Sequence, residues 1–191
     1  MSAIDLLDAA QEIQDFCDRQ EWQSCFIGGI AVLRWSQSRV TRDVDLTLLT
    51  GFGEEELFLK TILEHFRSRV PDALSFALRS RVVLLYSSSG IGIDISLGAL
   101  PYEHRMVDRA TLYEFAPGVA LRTCSAEDLL VLKLFASRPI DIRDAEGIAI
   151  RNEKSLDWGY VEMNLQPLAE AKDDPQIMLQ LARLRKLSES L

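Results

Sequence analysis

The chain has little of what builds metal centres and disulfide scaffolds. Only three cysteines (Cys17, Cys25, Cys124) and two histidines (His65, His104) occur in its 191 residues. An odd, widely spaced set of cysteines gives neither a disulfide framework nor a zinc pattern, so a reduced, cytoplasmic protein is expected. No apolar run reaches the roughly 18 residues of a membrane span, so no membrane partner is expected either. The start of the chain, Met1-Ser2-Ala3-Ile4-Asp5, lacks the basic region and apolar stretch of a signal peptide. Positive charge is also in deficit. A formal net charge of −8 weighs against a general nucleic-acid-coating surface, though it leaves room for local basic patches. Internal repeats and low-complexity segments are missing too.

What is present is the composition of an ordinary folded chain, 48% hydrophobic and 26% charged, which excludes a disordered polymer. Most basic residues are arginine, with clusters at Arg34, Arg39 and Arg42, at Arg67 and Arg69, and at Arg79 and Arg81. Arginine suits bidentate phosphate contacts, although a solvated surface is the commoner fate of any one of them.

Hydrophobic periodicity divides the chain in two. Ile4, Leu7, Ala10, Ile13, Phe16 and Cys17 recur at helical spacing and predict an opening helix. Ser24 to Ile27 reads as a strand, Ile30 to Trp35 as a helix, Asp43 to Leu49 as a strand, and Glu54 to about Arg69 as a helix. A short segment, Ser75 to Arg79, precedes a hairpin of Arg81 to Tyr86 and Ile91 to Leu97. Pro101 starts a further short helix, and Thr111 to Phe115 with Val119 to Arg122 add more β structure. From Ser125 onward the pattern is helical: Ser125 to Ser137, Arg143 to Asn152, Asp157 to Lys172 and Pro175 to Ser190. Ser125 is placed to cap the first of these, with Glu127 and Asp128 in its first turn. The expected fold class is α+β, a mixed-sheet core over residues 1–118 followed by a C-terminal helical lobe over 119–191, the boundary falling within Pro117 to Ser125.

The chemistry concentrates around Phe26-Ile27-Gly28-Gly29, thirteen further residues, and Asp43-Val44-Asp45-Leu46. Residues i and i+2 of a strand share a face, so Asp43 and Asp45 would present their carboxylates side by side while Val44 and Leu46 pack inward. Two anions that close repel unless a cation lies between them. Mg²⁺ is the natural candidate, being held by one or two carboxylates plus substrate phosphates. Asp94, in Gly92-Ile93-Asp94-Ile95-Ser96, is a third acid among apolar neighbours, where a lone charge would be costly to bury. A convergent trio could hold two Mg²⁺ ions, one beside a triphosphate and one lowering the pKa of an attacking hydroxyl. Gly28 and Gly29 would let backbone approach the phosphates, with a helix N-terminus facing the anion.

Gly28-Gly29 followed by Asp43-Val44-Asp45 resembles the signature of the DNA polymerase β-type nucleotidyltransferase superfamily. The lead-in Arg39-Val40-Thr41-Arg42 resembles the Arg-x-Thr-x-Asp-x-Asp form of its AbiEii toxin branch, from type IV toxin–antitoxin systems. Asp128-Leu129-Leu130-Val131-Leu132-Lys133 and Arg138-Pro139-Ile140-Asp141-Ile142-Arg143-Asp144 look like that branch's helical-lobe motifs. The matching segments span about Phe26 to Ile148. The resemblance implies Mg²⁺, a nucleoside triphosphate, and transfer of a nucleoside monophosphate with release of pyrophosphate. It implies Asp43, Asp45 and Asp94 as metal ligands and catalytic acids, Asp94 serving as general base. Gly28, Gly29, Arg39, Thr41, Lys133, Asp141 and Asp144 become the nucleotide-binding set, Lys133 neutralising triphosphate charge and the two acids orienting it or the arginines. Pro139 departs from the family pattern, and the chain is shorter than many toxins of this type.

Bland alternatives exist for each element. Gly-Gly is often a mere turn, Asp-x-Asp an exposed alternating strand, and Asp94 an edge-strand charge. Lys133 could snorkel from an apolar helix face, and Asp141 and Asp144 could serve a helix dipole. His65 and His104 read as structural or solvated, and Trp22, Trp35 and Trp158 as packing residues, Trp35 also being placed to stack a base. Three functions stay open. One is an enzyme modifying an RNA such as tRNA, with a cognate antitoxin as partner. Another acts on a small hydroxylated molecule of the antibiotic type. The last is a non-catalytic relative that binds nucleotide or a partner protein, which the intact acids argue against.

Overall fold

The computed structural model describes residues 3–37 and 40–189. Leu6, Ala10, Ile13 and Cys17 lie along one side of the opening helix α1 (Ala3–Arg19), and all four are buried. The chain continues through β1 (Ser24–Phe26), α2 (Gly28–Trp35), β2 (Asp43–Leu49), α3 (Glu55–His65), β3 (Arg67–Ser68) and α4 (Ala73–Ser80). Next come β4 (Val82–Tyr86), β5 (Gly92–Gly98), α5 (Pro101–Asp108), β6 (Thr111–Ala116) and β7 (Val119–Thr123). Four helices end the described chain: α6 (Ala126–Ala136), α7 (Pro139–Arg151), α8 (Trp158–Lys172) and α9 (Gln176–Glu189).

The strands form one mixed sheet in the order β3-β4-β5-β2-β1-β7-β6. β2 pairs with β5 and β1 with β7 in parallel, and the remaining neighbours are antiparallel. Register aligns Val44, Leu46 and Leu48 of β2 with Ile93, Ile95 and Leu97 of β5, and sets Val83 and Leu85 of β4 opposite Ile95 and Ile93. All eight are buried, so the central strands devote one face to the core. α1 and α5 pack against β2. Burying a side chain such as Ile95 or Leu46 is worth about 1.5–3 kcal/mol, and this apolar row therefore fixes the register of the acids on the opposite face.

Three elements depart from the sequence expectation. The helix expected to run to Arg69 stops at His65, where Phe66 turns extended (φ −112°, ψ 138°). Arg67 and Ser68 pair instead with Tyr86 and Leu85 at the edge of the sheet, a tertiary contact that outweighs helix propensity. Ser75 to Arg79 lies within the helix α4. α7 starts at Pro139, ahead of the Arg143 start, because proline at the first helical position gives up only an N–H that has no intrahelical partner there. The departure from family pattern at Pro139 is thus a helix start. Ser125 caps α6, its hydroxyl accepting from the Asp128 N–H at 3.1 Å.

The chain divides into two compact units. One is drawn from Met1–Ile30 and Val40–Cys124 and contains the whole sheet; the other is drawn from Ala31–Arg39 and Ser125–Leu191 and is helical. The helical unit has its own core, including Leu129, Leu130, Leu134, Ile148, Val161, Leu165, Ile177 and Leu184. No helix among the described residues is long and apolar enough to cross a membrane.

Candidate active site

Parallel pairing of β2 with β5 sets Asp45 opposite Asp94 and Asp43 opposite Gly92. Side chains on the same rung of a sheet project from the same face, so Asp43, Asp45 and Asp94 share one. It is the face opposite the Val44, Leu46, Ile93, Ile95 core. The Asp43 side chain is 51% exposed and that of Asp94 33%, which leaves the acids open to a ligand.

The two glycines at the start of α2 are explained by the acids beside them. Gly28 has φ +53°, a conformation that L side chains rarely adopt, and a Cβ there would overlap the Asp45 carboxylate. A Cβ on Gly29 would overlap the Thr41 side chain. The Gly29 N–H donates to Asp45 Oδ2 at 3.3 Å, and the Ile27 N–H donates to the Asp45 carbonyl at 3.0 Å. Thr41 Oγ1 in turn donates to the Asp43 carbonyl at 3.3 Å. The Gly-Gly turn, Thr41 and the acid strand therefore form one hydrogen-bonded assembly.

Arg69, just beyond β3, completes it. Its backbone N–H donates to the Leu84 carbonyl at 2.9 Å. Its guanidinium pairs with Asp94 through Nη2 and lies 3.8 Å from Asp43 Oδ1 through Nη1. Gly92 makes room for this, since a Cβ there would meet both the Asp43 carboxylate and the Arg69 guanidinium. The Asp94 carboxyl lies above its ordinary pKa because burial penalises the charge; Arg69 pulls it down, while Asp45 and Asp43 push it up. Three oxygen-donor carboxylates on adjacent rungs are the donor type a hard divalent cation takes. Among the described residues no group of three or more His, Cys, Asp and Glu side chains forms a ready-made metal cluster, and the cation beside Asp94 here is Arg69.

The helical unit holds a second charged assembly. Lys133, 7% exposed, reaches from α6 to Asp141 Oδ1 at 3.1 Å and Asp144 Oδ2 at 2.8 Å on α7, whose side chains are 1% and 4% exposed. Arg138 adds a hydrogen bond from Nε to Asp141 Oδ2 at 2.5 Å. Burial alone would raise the Asp141 carboxyl, but hydrogen bonds from Arg138 and Lys133, with their charges, outweigh it and hold it below the usual carboxylate range. Lys133 does not snorkel to water: both acids meet it inside the unit.

Comparison with known proteins decides the family. The family model described as "Nucleotidyl transferase AbiEii toxin, Type IV TA system" matches residues 18–145. The chain belongs to this family. Its fold is shared with solved nucleotidyltransferase-like structures. An antigenic nucleotidyltransferase-like protein from Paracoccidioides brasiliensis aligns with a TM-score of 0.54 at 15% identity, covering 95% of this chain and 94% of that one. The antibiotic-resistance factor ANT(2″)-Ia aligns with a TM-score of 0.55 at 18% identity, covering 87% and 92%. No curated protein matches the chain in sequence.

The other candidates of this AbiEii family member sort by contact. Arg39 lies outside the described residues. Arg42 is exposed immediately before β2. Arg81 is spent on structure: it donates to the Leu97 and Gly51 carbonyls and pairs with Glu55. Trp35 carries Arg34 at 4.1 Å over its ring, and the His65 ring packs against Phe16. All three cysteines are free and buried, and burial pushes the Cys17 thiol up to about 11. A surface cavity of about 490 Å³, lined by Gln166, Glu170, Asp173, Asp174 and Met178 among others, contains none of Asp43, Asp45 and Asp94. Sequence reasoning named Arg69 only as part of an arginine cluster suited to phosphate and did not place it beside the acids, and it missed Gly92 as a site residue. Their signal was faint: an arginine two residues past Arg67 and a glycine two residues before Asp94.

Proposed function

We propose that this protein is a Mg²⁺-dependent nucleotidyltransferase that transfers a nucleoside monophosphate from a nucleoside triphosphate to an RNA acceptor such as tRNA. The observation that carries the reading is the register of β2 and β5, which sets three carboxylates on one exposed sheet face beside a Gly-Gly helix start. Asp43, Asp45 and Asp94 would hold the metal, which when bound supplies charge neutralisation at the triphosphate and acidifies the attacking hydroxyl. Asp94 takes the proton of the acceptor hydroxyl, whose oxygen forms a bond to the α-phosphorus. The bond from that phosphorus to the bridging oxygen breaks, and pyrophosphate leaves. Gly28 and Gly29 admit phosphate close to backbone at the start of α2. Lys133, Asp141 and Asp144 belong to the nucleotide-binding set that the family resemblance implies, and within the helical unit the two acids fix the position of the Lys133 ammonium. Arg39 and Thr41 belong to the same nucleotide-binding set, and Thr41 also steadies the strand of Asp43.

The family's type IV toxin description supports a cognate antitoxin partner. A basic aromatic pair supports the RNA acceptor: Arg67 stacks 4.5 Å above the Tyr86 ring, and Tyr86 shares a rung with Gly92, next to Asp43. The test is incubation with each labelled triphosphate, Mg²⁺ and either total RNA or a panel of hydroxylated antibiotics. Label on RNA is the expected outcome. Label on small molecules alone would replace the acceptor, and no transfer to either would remove the activity.

A further inference from the structure

We propose that Arg69 is a built-in counter-cation, holding Asp43 and Asp94 together when the divalent ion is absent and competing with that ion for the same carboxylates. The inference rests on the proposed metal role of the acids. Three carboxylates on adjacent rungs repel one another, and a cation among them lowers that cost. Arg69 is the cation there, paired with Asp94 and 3.8 Å from Asp43. The site is built to admit it: the Arg69 N–H is tied to the Leu84 carbonyl, and Gly92 lacks the Cβ that would block the guanidinium.

The guanidinium is held by only part of its donor set. Its Nε is buried and makes no hydrogen bond. An orphaned donor favours a second position, in which the guanidinium swings off the acids and Nε regains water. A hard divalent ion on Asp94 and Asp43 drives that exchange, because ion and guanidinium cannot share the same carboxylate oxygens. Released, the planar fork is suited to bidentate phosphate contact. Arg69 is accordingly a positioning residue whose place depends on the metal.

The experiment measures Mn²⁺ affinity, by calorimetry or electron paramagnetic resonance, for the wild-type chain and for Arg69→Gln, Arg69→Lys and Asp45→Asn. Removing the competitor should tighten Mn²⁺ binding of Arg69→Gln about tenfold, the scale on which neighbouring groups tune metal affinity. Its metal-free melting temperature should fall and its rise on adding Mn²⁺ should grow. Arg69→Lys keeps a charge and should bind between the two, and it serves if Arg69→Gln fails to fold. Unchanged or weaker Mn²⁺ binding in both Arg69 variants, with Asp45→Asn still abolishing it, overturns the counter-cation role and leaves the metal site standing. No Mn²⁺ binding to wild type or to either Arg69 variant overturns both.

Discussion

Replacing Gly28 with alanine tests whether the glycine turn exists to accommodate the acid strand. Two penalties add. At φ +53° a Cβ costs about 1–2 kcal/mol of backbone strain. The same Cβ would overlap Oδ2, Cγ and Cβ of Asp45, so that side chain must rotate away and the Gly29 N–H loses its acceptor, another kcal/mol or so. Against these stands a gain of up to about 1 kcal/mol from a less flexible unfolded chain. The net expectation is a loss of about 1–3 kcal/mol, read as a lower urea midpoint. Gly51 provides the control: its φ is +71°, and nothing lies within 4 Å of the position its Cβ would take. Gly51→Ala carries the strain without the collision, so Gly28→Ala should lose more stability than Gly51→Ala. Transfer should fall about 100-fold or more in Gly28→Ala, because displacing one reacting carboxylate by an ångström is enough. Equal losses at the two glycines, with transfer retained, would refute the reasoning.

Asp45→Asn should abolish transfer while leaving metal-free stability level or higher, since it relieves repulsion in the trio and keeps an acceptor for Gly29; a large stability loss in denaturation would contradict this. Lys133→Met leaves Asp141 and Asp144 buried without their ammonium and should cost about 3–5 kcal/mol by urea denaturation, Arg138 limiting the damage at Asp141. Acid titration should separate the two carboxyls. The lowered pKa of Asp141 gives stability that is present above the ordinary carboxylate value and lost as pH falls through the folded value, so the margin of wild type over Asp141→Asn should shrink in acid. The raised pKa of Asp94 has the opposite sign: the folded state takes up the proton first, so wild type should gain on Asp94→Asn as pH falls from the raised value toward the ordinary one. Urea midpoints between pH 7 and pH 3 check both directions. If the acceptor is RNA, transfer should fall steeply with salt, and Arg42→Ala should reduce the slope of log rate against log salt by about 1; a salt-independent rate would point to a small neutral acceptor.

Local pattern was sufficient wherever one period dominated. Alternation in Asp43-Val44-Asp45-Leu46 and in Gly92-Ile93-Asp94-Ile95 put the acids on one face of each strand because the apolar partners had to go inward. Pro101, Ser125 and the turn at Ser87 to Gly90 marked their element boundaries through backbone chemistry that needs no distant partner. Gly28-Gly29 with Asp-x-Asp, and the later Lys133, Asp141 and Asp144, pointed to the family for the same reason: their spacing is a property of the chain. The edges where distant segments compete were beyond its reach. Arg67 and Ser68 leave the helix only because Tyr86 and Leu85, far along the chain, offer a ladder to join. The parallel register that sets Asp45 beside Asp94 depends on matching eight buried side chains across three strands. Arg69 reaches the acids only once that register and the bare Gly92 have made a place for it, and no spacing in the sequence encodes such a meeting.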